Sequence, residues 1–497
     1  MMSTPYDLLI VGAGPAGVSA AVEAATRGAR VLLVEQRPHA GGAIHRAAYD
    51  GGPCAVPMPA RHKKNWATLQ RELAALADRI RLLTSAVFLG IDGAGVCMID
   101  SRAEGRVKLV RPRAVIFAIG ATERVPHVSG WELPGVVTAG GLQVQMKESG
   151  QAPQGRILIA GNGPLPLALG AQLAALGNPP VAILEAGAPW RKLWTSPGAL
   201  IGLAAGPRQL LEAAGYFRRL RADGVPYRTG TAVTAVSATG IAASAATAAA
   251  SAVVAVGTAG AGAAGLRVRT RDRRGETLDY EVDLLVLHGG LVRNERGIPA
   301  ADMHGIVIAR AGDCNQVLGA DAALTEGRRV AALVMGRLEG QSDQSAQAGQ
   351  RGQPGQLGQP RQAAQPARPA GREPAPAKAA AAFQASIWRL FAADPPAEAT
   401  ETSSADTVIC RCEGVTRRAL ADKDLHSPRE IRLVGRVGMG LCQGRFCAHA
   451  AAMAADTETD SAAGSDEITL AEIDGPIPRW PIRPVSVKAL ANADDLT

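Results

Sequence analysis

Short apolar runs that end in glycine alternate with longer helical patterns along the first two thirds of the chain. Residues 6–11 (YDLLIV) are followed by a glycine turn, an alanine-rich helical stretch to about Arg27, and a second apolar run at 31–35. Buried parallel strands carry nearly continuous apolar residues and are joined through helices, so this order predicts a βαβ unit.

The same order recurs in the middle of the chain. An apolar run at 156–160 leads through a glycine turn and a helical stretch ending at Leu176 to another apolar run at 181–185. Two more apolar runs, 115–120 and 284–290, also end in glycine and are predicted to be buried strands. Together these patterns predict an α/β protein with two Rossmann-like dinucleotide-binding domains.

Two low-complexity stretches help to set the predicted domain boundaries. The uncharged segment near 236–265 consists mostly of small residues that gain too little from lipid to form a membrane span, so it is predicted to be an insertion. The Gln- and Pro-rich segment at 341–377 predicts a flexible linker. A short amphipathic helix is predicted at 379–391, and the segment 479–490 is expected to lie against the main body. The predicted parts are a first dinucleotide-binding domain (1–150 and 284–340), a second one (151–283), the linker, a helix with a cysteine-bearing module (378–455) and a tail (456–497).

The first glycine turn carries the pattern Gly12-x-Gly14-x-x-Gly17 between a strand and a helix. Gly12 permits the tight turn, Gly14 lets the backbone approach a pyrophosphate, and Gly17 lets the helix pack close to the strand. Glu35 ends the second strand, where its carboxylate can accept hydrogen bonds from a ribose diol. Gly42 belongs to a Gly-Gly pair that indicates another close approach of backbone to ligand. The turn therefore predicts dinucleotide binding, with a purely structural turn as the alternative.

A second motif favours FAD over NAD at this site. The sequence AGDCNQ (311–316) is followed by an alanine-rich helical stretch. In flavoproteins with two dinucleotide-binding domains, an Ala-Gly-Asp motif at this place binds the ribityl chain, and the next helix points its N-terminus at the pyrophosphate. Asp313 is therefore the candidate FAD ligand. A helix-capping role is the alternative, and the two roles are compatible.

The second glycine turn matches the dinucleotide pattern less well. Gly161 and Gly163 are present, but Pro166 stands where the third glycine would be and adds bulk between helix and strand. Glu185 could hold a ribose and would repel a 2′-phosphate. If this site binds a nucleotide, NAD(H) is therefore favoured over NADP(H), and a retained fold without a ligand is the alternative.

Four of the seven cysteines form two tight pairs near the end of the chain, Cys410-x-Cys412 and Cys442-x₄-Cys447. The second pair lies in a glycine-rich turn that is expected to open a helix. Four thiolates in this pattern suit a [2Fe–2S] cluster or a tetrahedral Zn²⁺ ion. A redox centre beside a flavin fits electron transfer, which favours the cluster over zinc and over a thiol–disulfide role.

The other cysteines and the scattered histidines have simpler interpretations. Cys54, Cys97 and Cys314 are predicted to be small buried hydrophobic side chains rather than nucleophiles. No role is assigned to the histidines that stand alone in the sequence, which are His45, His62, His127 and His288.

Composition narrows the class of protein further. The 53 basic and 45 acidic residues give a net charge of +8, but the excess is scattered, so nucleic-acid binding is not predicted. Seven cysteines suit a reducing compartment rather than a disulfide scaffold. The first residues lack the pattern of an export signal, and no transmembrane segment is expected. The predicted location is the cytoplasm, with peripheral attachment to the inner membrane as an alternative.

The order of these motifs resembles the α (A) subunits of heteromeric amino-acid dehydrogenases, such as those of hydrogen cyanide synthase, opine oxidase and the proline and hydroxyproline dehydrogenases. The resemblance includes both glycine turns, the stretch AIGATERVPHVSGWELPGVVTAGG (118–141), the Ala-Gly-Asp motif and the two cysteine pairs. It excludes 240–264 and 341–377. The cysteine module also resembles bacterioferritin-associated ferredoxin, but the second cysteine pair is spaced more widely here.

The resemblance implies bound FAD, a [2Fe–2S] cluster and a separate β flavoprotein subunit that carries the substrate site, often with a small ferredoxin-like subunit. The FAD contacts that it implies are Gly12, Gly14, Gly17, Glu35, Gly42, Gly120 and Asp313. The cluster ligands that it implies are Cys410, Cys412, Cys442 and Cys447.

The sequence thus predicts an electron-transferring oxidoreductase subunit in a complex that oxidises the C–N bond of an amino acid, imino acid or opine. No residue is assigned a catalytic acid–base role, which fits a relay whose substrate site lies on another chain. Two alternatives stay open. One is a stand-alone reductase that binds NADH at Gly161–Glu185, and the other is a non-enzymatic iron–sulfur or zinc interaction protein.

Overall fold

The computed structural model describes residues 6–52, 54–239, 265–350, 375–393, 404–423, 425, 428–440, 442–447 and 485–496. The strands are β1 (Leu8–Val11), β2 (Val31–Val34), β3 (Ile80–Leu83), β4 (Ala86–Ile91), β5 (Cys97–Ser101), β6 (Arg106–Val110), β7 (Ala114–Phe117), β8 (Ala121–Glu123), β9 (Val136–Thr138), β10 (Ile157–Gly161), β11 (Ala182–Glu185), β12 (Tyr227–Thr229), β13 (Thr231–Thr239), β14 (Gly265–Asp272), β15 (Thr277–Val282), β16 (Leu284–His288), β17 (Leu291–Arg293), β18 (Val307–Arg310), β19 (Val408–Cys410), β20 (Val415–Thr416) and β21 (Asp494–Asp495). The helices are α1 (Pro15–Thr26), α2 (Ala60–Ala75), α3 (Ala139–Ser149), α4 (Pro164–Ala175), α5 (Pro189–Thr195), α6 (Pro197–Leu203), α7 (Pro207–Ala222), α8 (Ala320–Gln350), α9 (Ala375–Phe391), α10 (Arg417–Ala421), α11 (Pro428–Leu433) and α12 (Val487–Ala491).

The first parallel sheet has the strand order β18-β7-β1-β2-β3. Side chains alternate between its faces, so Leu8 and Ile10 pack with α1 and α8, while Leu9 and Val11 pack with the antiparallel sheet of β4, β5 and β6. All four side chains are buried, and the run is therefore apolar throughout. The predicted βαβ unit and the strand at 115–120 are confirmed by this layer arrangement.

The second parallel sheet has the strand order β12-β11-β10-β16-β9. Its two faces pack against helices α3, α4 and α7 on one side and against the antiparallel β13–β15 sheet on the other. Strands β8 and β17 pair with each other and form the two connections between the sheets. The strand pairing groups residues 136–149 and 284–288 with the second sheet, whereas the predicted boundaries put them in the first domain. The predicted limits of the two dinucleotide-binding domains therefore stay predictions.

The ends of both predicted low-complexity segments belong to helices or strands. The stretch 341–350 is helical, because α8 continues to Gln350, and 375–377 belongs to α9. Extending a helix that is already formed costs far less than starting one, so the packed part of α8 can carry polar residues into a helix. Similarly, 236–239 and 265 belong to strands whose small residues pair with each other, and 240–264 and 351–374 lie outside the described residues.

The cysteine-bearing module has its own small core, formed around Ile409, Leu420 and Ile431. The sequence predicts a small helical module of the bacterioferritin-associated-ferredoxin type here, but the module is mixed, since β19 and β20 form a hairpin that precedes α10 and α11. Beyond the second cysteine pair, the predicted helix lies outside the described residues. The prediction that segment 479–490 lies against the main body is confirmed for 485–490. Helix α12 packs beside β6, and β21 pairs with β6. Among the described helices, none combines the length and hydrophobicity that a bilayer crossing requires.

Candidate functional site

The first glycine turn brings three backbone segments together at the carboxyl ends of β1 and β7. Gly12 has a φ of +103°, and a Cβ there would lie 2.5 Å from the carbonyl oxygen of Ala118. A Cβ on Gly17 would lie 1.8 Å from the carbonyl oxygen of Gly12, and Gly14 packs directly against Gly42. No side chain caps the start of α1, so its first N–H groups face the turn. The turn has the glycine contacts and the donors that a pyrophosphate needs.

Glu35 lies at the end of β2, next to this turn. Its Oε2 accepts a hydrogen bond of 2.9 Å from the N–H of Ala13, and its Oε1 accepts one of 3.0 Å from the N–H of Arg37. The residue is only 6% exposed. The carboxylate is therefore held against the glycine turn, at the edge where a ribose would lie.

The Ala-Gly-Asp motif lies beside the same turn. Gly312 packs against Ala16 in the first turn of α1. Asp313 accepts hydrogen bonds of 3.0 Å from the N–H groups of Leu318 and Gly319, which directly precede α8. Burial raises the pKa of Asp313, although these two N–H groups lower it. The predicted capping role is present in this geometry. It places the motif next to the α1 turn, while binding of a ribityl chain stays a prediction.

Gly120 has a φ of +71°, and the space beside it is open. It lies between β7 and β8, at the start of the connection to the second sheet. A cavity of about 1690 Å³ extends from residues of the Asp313 loop, such as Gly319, to residues of the second fold, such as Pro164 and Phe391. The described residues therefore leave open space at Gly120 and a cavity beside the Asp313 loop.

A cluster of buried titratable groups lies behind the Gly41–Gly42 loop, and sequence reasoning missed it. The Nζ of Lys147 on α3 donates to the carbonyls of Ala43 and Ile44. The ring of His45 stacks on Trp66 with a centroid distance of 4.9 Å. Burial lowers the pKa of Lys147 to about 8 and that of His45 to about 4. Both groups come from elements that are distant in sequence, so no local pattern links them.

The second glycine turn has a poorer donor set than the first. Helices α1 and α4 both begin with a proline, Pro15 and Pro164, but α4 has a further one at Pro166, and proline has no N–H to offer a phosphate. Glu185 is 1% exposed and accepts hydrogen bonds from the N–H groups of Gly163 and Gly187. Burial raises the pKa of Glu185 to about 8, although these bonds lower it. Gly161 packs against the backbone of His288.

The end of α9 covers this second turn. The side-chain amide of Asn162 donates to the carbonyl of Phe391 at 2.9 Å, and Lys192 donates to the carbonyl of Ala392 at 2.7 Å. Gly187 forms an isolated β-bridge with Ala393. Segment 391–393 therefore lies against the loops that follow β10 and β11, where a nucleotide bound to this fold would lie.

The four cysteines of the two tight pairs lie together. Cys447 is hydrogen-bonded to both Cys410 and Cys442, and Cys442 is also hydrogen-bonded to Cys412. Among the described residues, no three His, Cys, Asp or Glu side chains converge to hold one metal ion. A [2Fe–2S] cluster makes a different demand, because its four cysteine ligands are shared between two irons.

The surroundings of the Cys410 and Cys442 sulfurs favour the thiolate form. Backbone N–H groups of Gly438 and Glu413 donate to the sulfur of Cys410, and those of Gly444 and Phe446 donate to that of Cys442. The hydrogen bonds lower the pKa of both thiols, while the pKa of Cys447, which donates to them, is raised. Burial raises the pKa of Cys412. N–H groups that donate to two of four adjacent sulfurs fit the surroundings of an iron–sulfur cluster.

The remaining single residues take mostly structural positions. Cys97 and Cys314 are fully buried, as predicted, and burial raises their pKa values to about 12 and about 11. Cys54 is only half-buried. The Nδ1 of His288 lies 2.5 Å from the Oε1 of Glu123, and both side chains are buried where the two sheets connect. This pair was also not foreseen, because its members are 165 residues apart.

Comparison with known proteins agrees with the resemblance inferred from the motifs. The chain is 29% identical over 454 residues to hydrogen cyanide synthase subunit HcnB from Pseudomonas aeruginosa, covering 88% of this chain and 90% of that protein. It is 28% identical over 517 residues to the A subunit of opine oxidase from Rhizobium meliloti, covering 98% of each. The structure of L-proline dehydrogenase from P. horikoshii superimposes with a TM-score of 0.57 at 17% identity, over 98% of this chain and 79% of that one, which shows a shared fold.

The family match covers the part of the chain that contains both glycine turns. Residues 6–302 match the pyridine nucleotide-disulphide oxidoreductase family. This region includes both parallel sheets except β18, together with the connections between them. The chain therefore belongs to the pyridine nucleotide-disulphide oxidoreductases, a family of flavin-dependent oxidoreductases.

Proposed function

We propose that this chain is the electron-transferring subunit of a heteromeric dehydrogenase or oxidase that acts on the C–N bond of an amino acid, imino acid or opine. The observation that carries the proposal is the set of four adjacent cysteine sulfurs, on a module whose Phe446 packs against the core of the second parallel sheet in a chain of a flavin-dependent family. The full-length relatives named above are subunits of hydrogen cyanide synthase and of opine oxidase. Their names supply the class of substrate in this proposal.

In the proposed assignment, FAD is held by the first fold, which is the parallel sheet of β18, β7, β1, β2 and β3 with helices α1 and α8. The N–H groups at the start of α1 bind the pyrophosphate beside Gly12, Gly14 and Gly17, and Glu35 binds the adenosine ribose. Gly42 and Gly120 allow close approach of the backbone, and Asp313 holds the ribityl chain. The open space beside Gly120 and the uncapped start of α1 support this assignment.

The proposed cluster ligands are Cys410, Cys412, Cys442 and Cys447. FAD and a [2Fe–2S] cluster, when bound, supply electron acceptance and one-electron transfer. The N–H groups that donate to Cys410 and Cys442 stabilise the thiolate form, which both iron and zinc require. Iron is proposed over zinc because zinc has no redox chemistry to share with a flavin.

The substrate site is proposed to lie on a partner β flavoprotein, and a small ferredoxin-like protein is proposed as a further component of the complex. The helices α5, α6 and α7 support a partner, since they carry six exposed large apolar side chains within 22 residues. These are Trp190, Trp194, Leu200, Ile201, Leu210 and Leu211. Apolar surface of this kind is usually covered by another chain. The proposed location is the cytoplasm, with peripheral attachment to the inner membrane as the alternative.

The contacts of α9 favour a relay over the NADH-dependent reductase. NAD(H) at the second turn would have to displace segment 391–393 and break its bonds with Asn162 and Lys192. It would also meet Pro164 and Pro166, where a phosphate needs N–H donors. We therefore propose that the second fold is retained for packing and does not serve as an entry point for NADH electrons.

Anaerobic purification and cofactor analysis test the proposal. The protein is expected to contain FAD, iron and acid-labile sulfide, and Cys442→Ser is expected to lose iron and sulfide but keep FAD. Cys54→Ser is the matched control, because Cys54 lies outside the cluster, and this variant is expected to keep both. Candidate amino acids should leave the flavin oxidised until the β partner is added, and NADH should also leave it oxidised.

Each alternative has its own outcome in this experiment. Flavin bleaching by NADH alone would favour the stand-alone reductase. A colourless protein with bound zinc would favour the interaction protein. Rapid bleaching by an amino acid without a partner would show that the substrate site lies on this chain and would refute the relay.

A further inference from the structure

The turn between Cys442 and Cys447 contacts the main body through Arg296, in addition to the apolar packing of Phe446. Arg296 donates from Nη1 to the carbonyl of Cys442 at 2.9 Å and also to that of Gln443. One guanidinium group therefore holds two successive carbonyls of the proposed cluster loop. Both bonds come from Nη1, a nitrogen with two N–H groups, so each carbonyl can accept one of them.

This loop also carries backbone strain. Gln443 has a φ of +52°, an uncommon value for a residue with a side chain. Such a conformation persists only where neighbouring contacts hold it, and it is found often at functional sites. The contact with Arg296 is made at this strained residue.

The two residues before Arg296 contact the proposed FAD site. The backbone N–H of Asn294 donates to the carbonyl of Gly120 at 3.3 Å, and its side chain donates to the carbonyl of Ile119 at 3.3 Å. Glu295 forms an ion pair of 2.6 Å with Arg310, directly before the Ala-Gly-Asp motif. Residues 294–296, here called the bridge segment, thus join the cysteine turn to both loops assigned to FAD.

We propose that the bridge segment fixes the cluster relative to the flavin, and that Arg296 is the positioning residue for electron transfer between them. This inference rests on the proposed function, because it needs both cofactors. Its chemistry is a transfer of one electron, in which the reduced flavin is oxidised by one electron and the oxidised cluster is reduced by one. The protein supplies the fixed separation of the two groups.

Flash photoreduction of the bound flavin tests the proposal, with EDTA as the electron donor that is oxidised. Absorbance then follows reoxidation of the flavin together with bleaching of the cluster in the full-length protein. Arg296→Met is expected to keep FAD, iron and sulfide but to slow this transfer several-fold, because the rate of electron tunnelling falls exponentially with the separation of the two centres. Arg296→Lys should restore part of the rate.

Arg411→Met is the matched control, because Arg411 is exposed between Cys410 and Cys412 and its loss removes the same charge beside the cluster. This variant is expected to transfer electrons at the rate of the unmodified protein. Equal rates in Arg296→Met and the unmodified protein, with cofactors intact, would overturn the proposal. An equal slowing by Arg411→Met would also overturn it, since charge rather than position would then set the rate.

A second variant keeps the test decisive if Arg296→Met loses its cluster. Asn294→Ala removes the contact with Ile119 at the flavin end and leaves the cysteine turn unchanged, and it is expected to slow the transfer. If Asn294→Ala keeps both cofactors and the full rate, the bridge segment has no positioning role. Absence of FAD or iron in the unmodified protein would instead refute the proposed function, so the two failures are distinguishable.

Discussion

Replacement of Gly17 by alanine is the sharpest test of the proposed FAD site. The new Cβ would lie 1.8 Å from the carbonyl oxygen of Gly12, and real Cβ contacts are not shorter than 3.0 Å. Helix α1 must therefore move by about 1.2 Å. Forced movement in a close-packed interior costs about 1–3 kcal/mol, while the better helix propensity of alanine returns at most about 1 kcal/mol.

The same movement displaces the N–H groups that are proposed to bind the pyrophosphate. A hydrogen bond to a charged group contributes about 1.5–3 kcal/mol, so each lost bond weakens FAD binding by roughly 10- to 100-fold. The assay is the ratio of FAD to protein after gel filtration, together with thermal unfolding with and without added FAD. Gly336→Ala is the control, because Gly336 is also helical but has open space at its Cβ. A Gly17→Ala protein with full FAD content and an unchanged Tm would contradict the assignment.

Three further predictions follow from single contacts. Burial holds the pKa of His45 at about 4 in the folded protein, so between pH 6.5 and 4 the histidine takes up a proton when the chain unfolds. The free energy of unfolding therefore falls by about 3 kcal/mol over this range. Urea unfolding at pH 7.5 and 4.5 should show a smaller loss for His45→Gln than for the unmodified protein. Trp131→Phe removes the hydrogen bond of 2.6 Å from Nε1 to the carbonyl of Val408, which should loosen the cysteine module by about 1 kcal/mol; faster iron release to a chelator is expected, and an unchanged rate would count against this docking contact. Trp388→Ala removes the ring that packs on Gly290 beneath the end of α9, but calorimetry should still detect no NADH binding, because Pro164 and Pro166 leave the start of α4 poor in N–H donors; detectable binding would show that the end of α9 alone blocks the site.

Much of the first site could be predicted because its residues are close in sequence. Gly12, Gly14 and Gly17 are needed within one strand–turn–helix unit, and their spacing follows from the geometry of that unit. Glu35 ends the next strand of the same unit, so its place at the turn also follows from the order of elements. The close spacing within each of the two cysteine pairs, Cys410 with Cys412 and Cys442 with Cys447, was likewise visible in the sequence.

The tertiary structure alone decided how the parts meet. Asn162 was predicted to lie in a nucleotide-binding turn, but it bonds to Phe391, 229 residues away, and that contact covers the turn. Arg296 has no distinguishing motif, and only folding brings it to the cysteine turn, 146 residues away. The physical reason is the sequence distance over which each kind of interaction acts. Hydrophobic periodicity and turn chemistry act between near neighbours and are visible in the sequence, whereas contacts between packed elements depend on how whole layers are arranged.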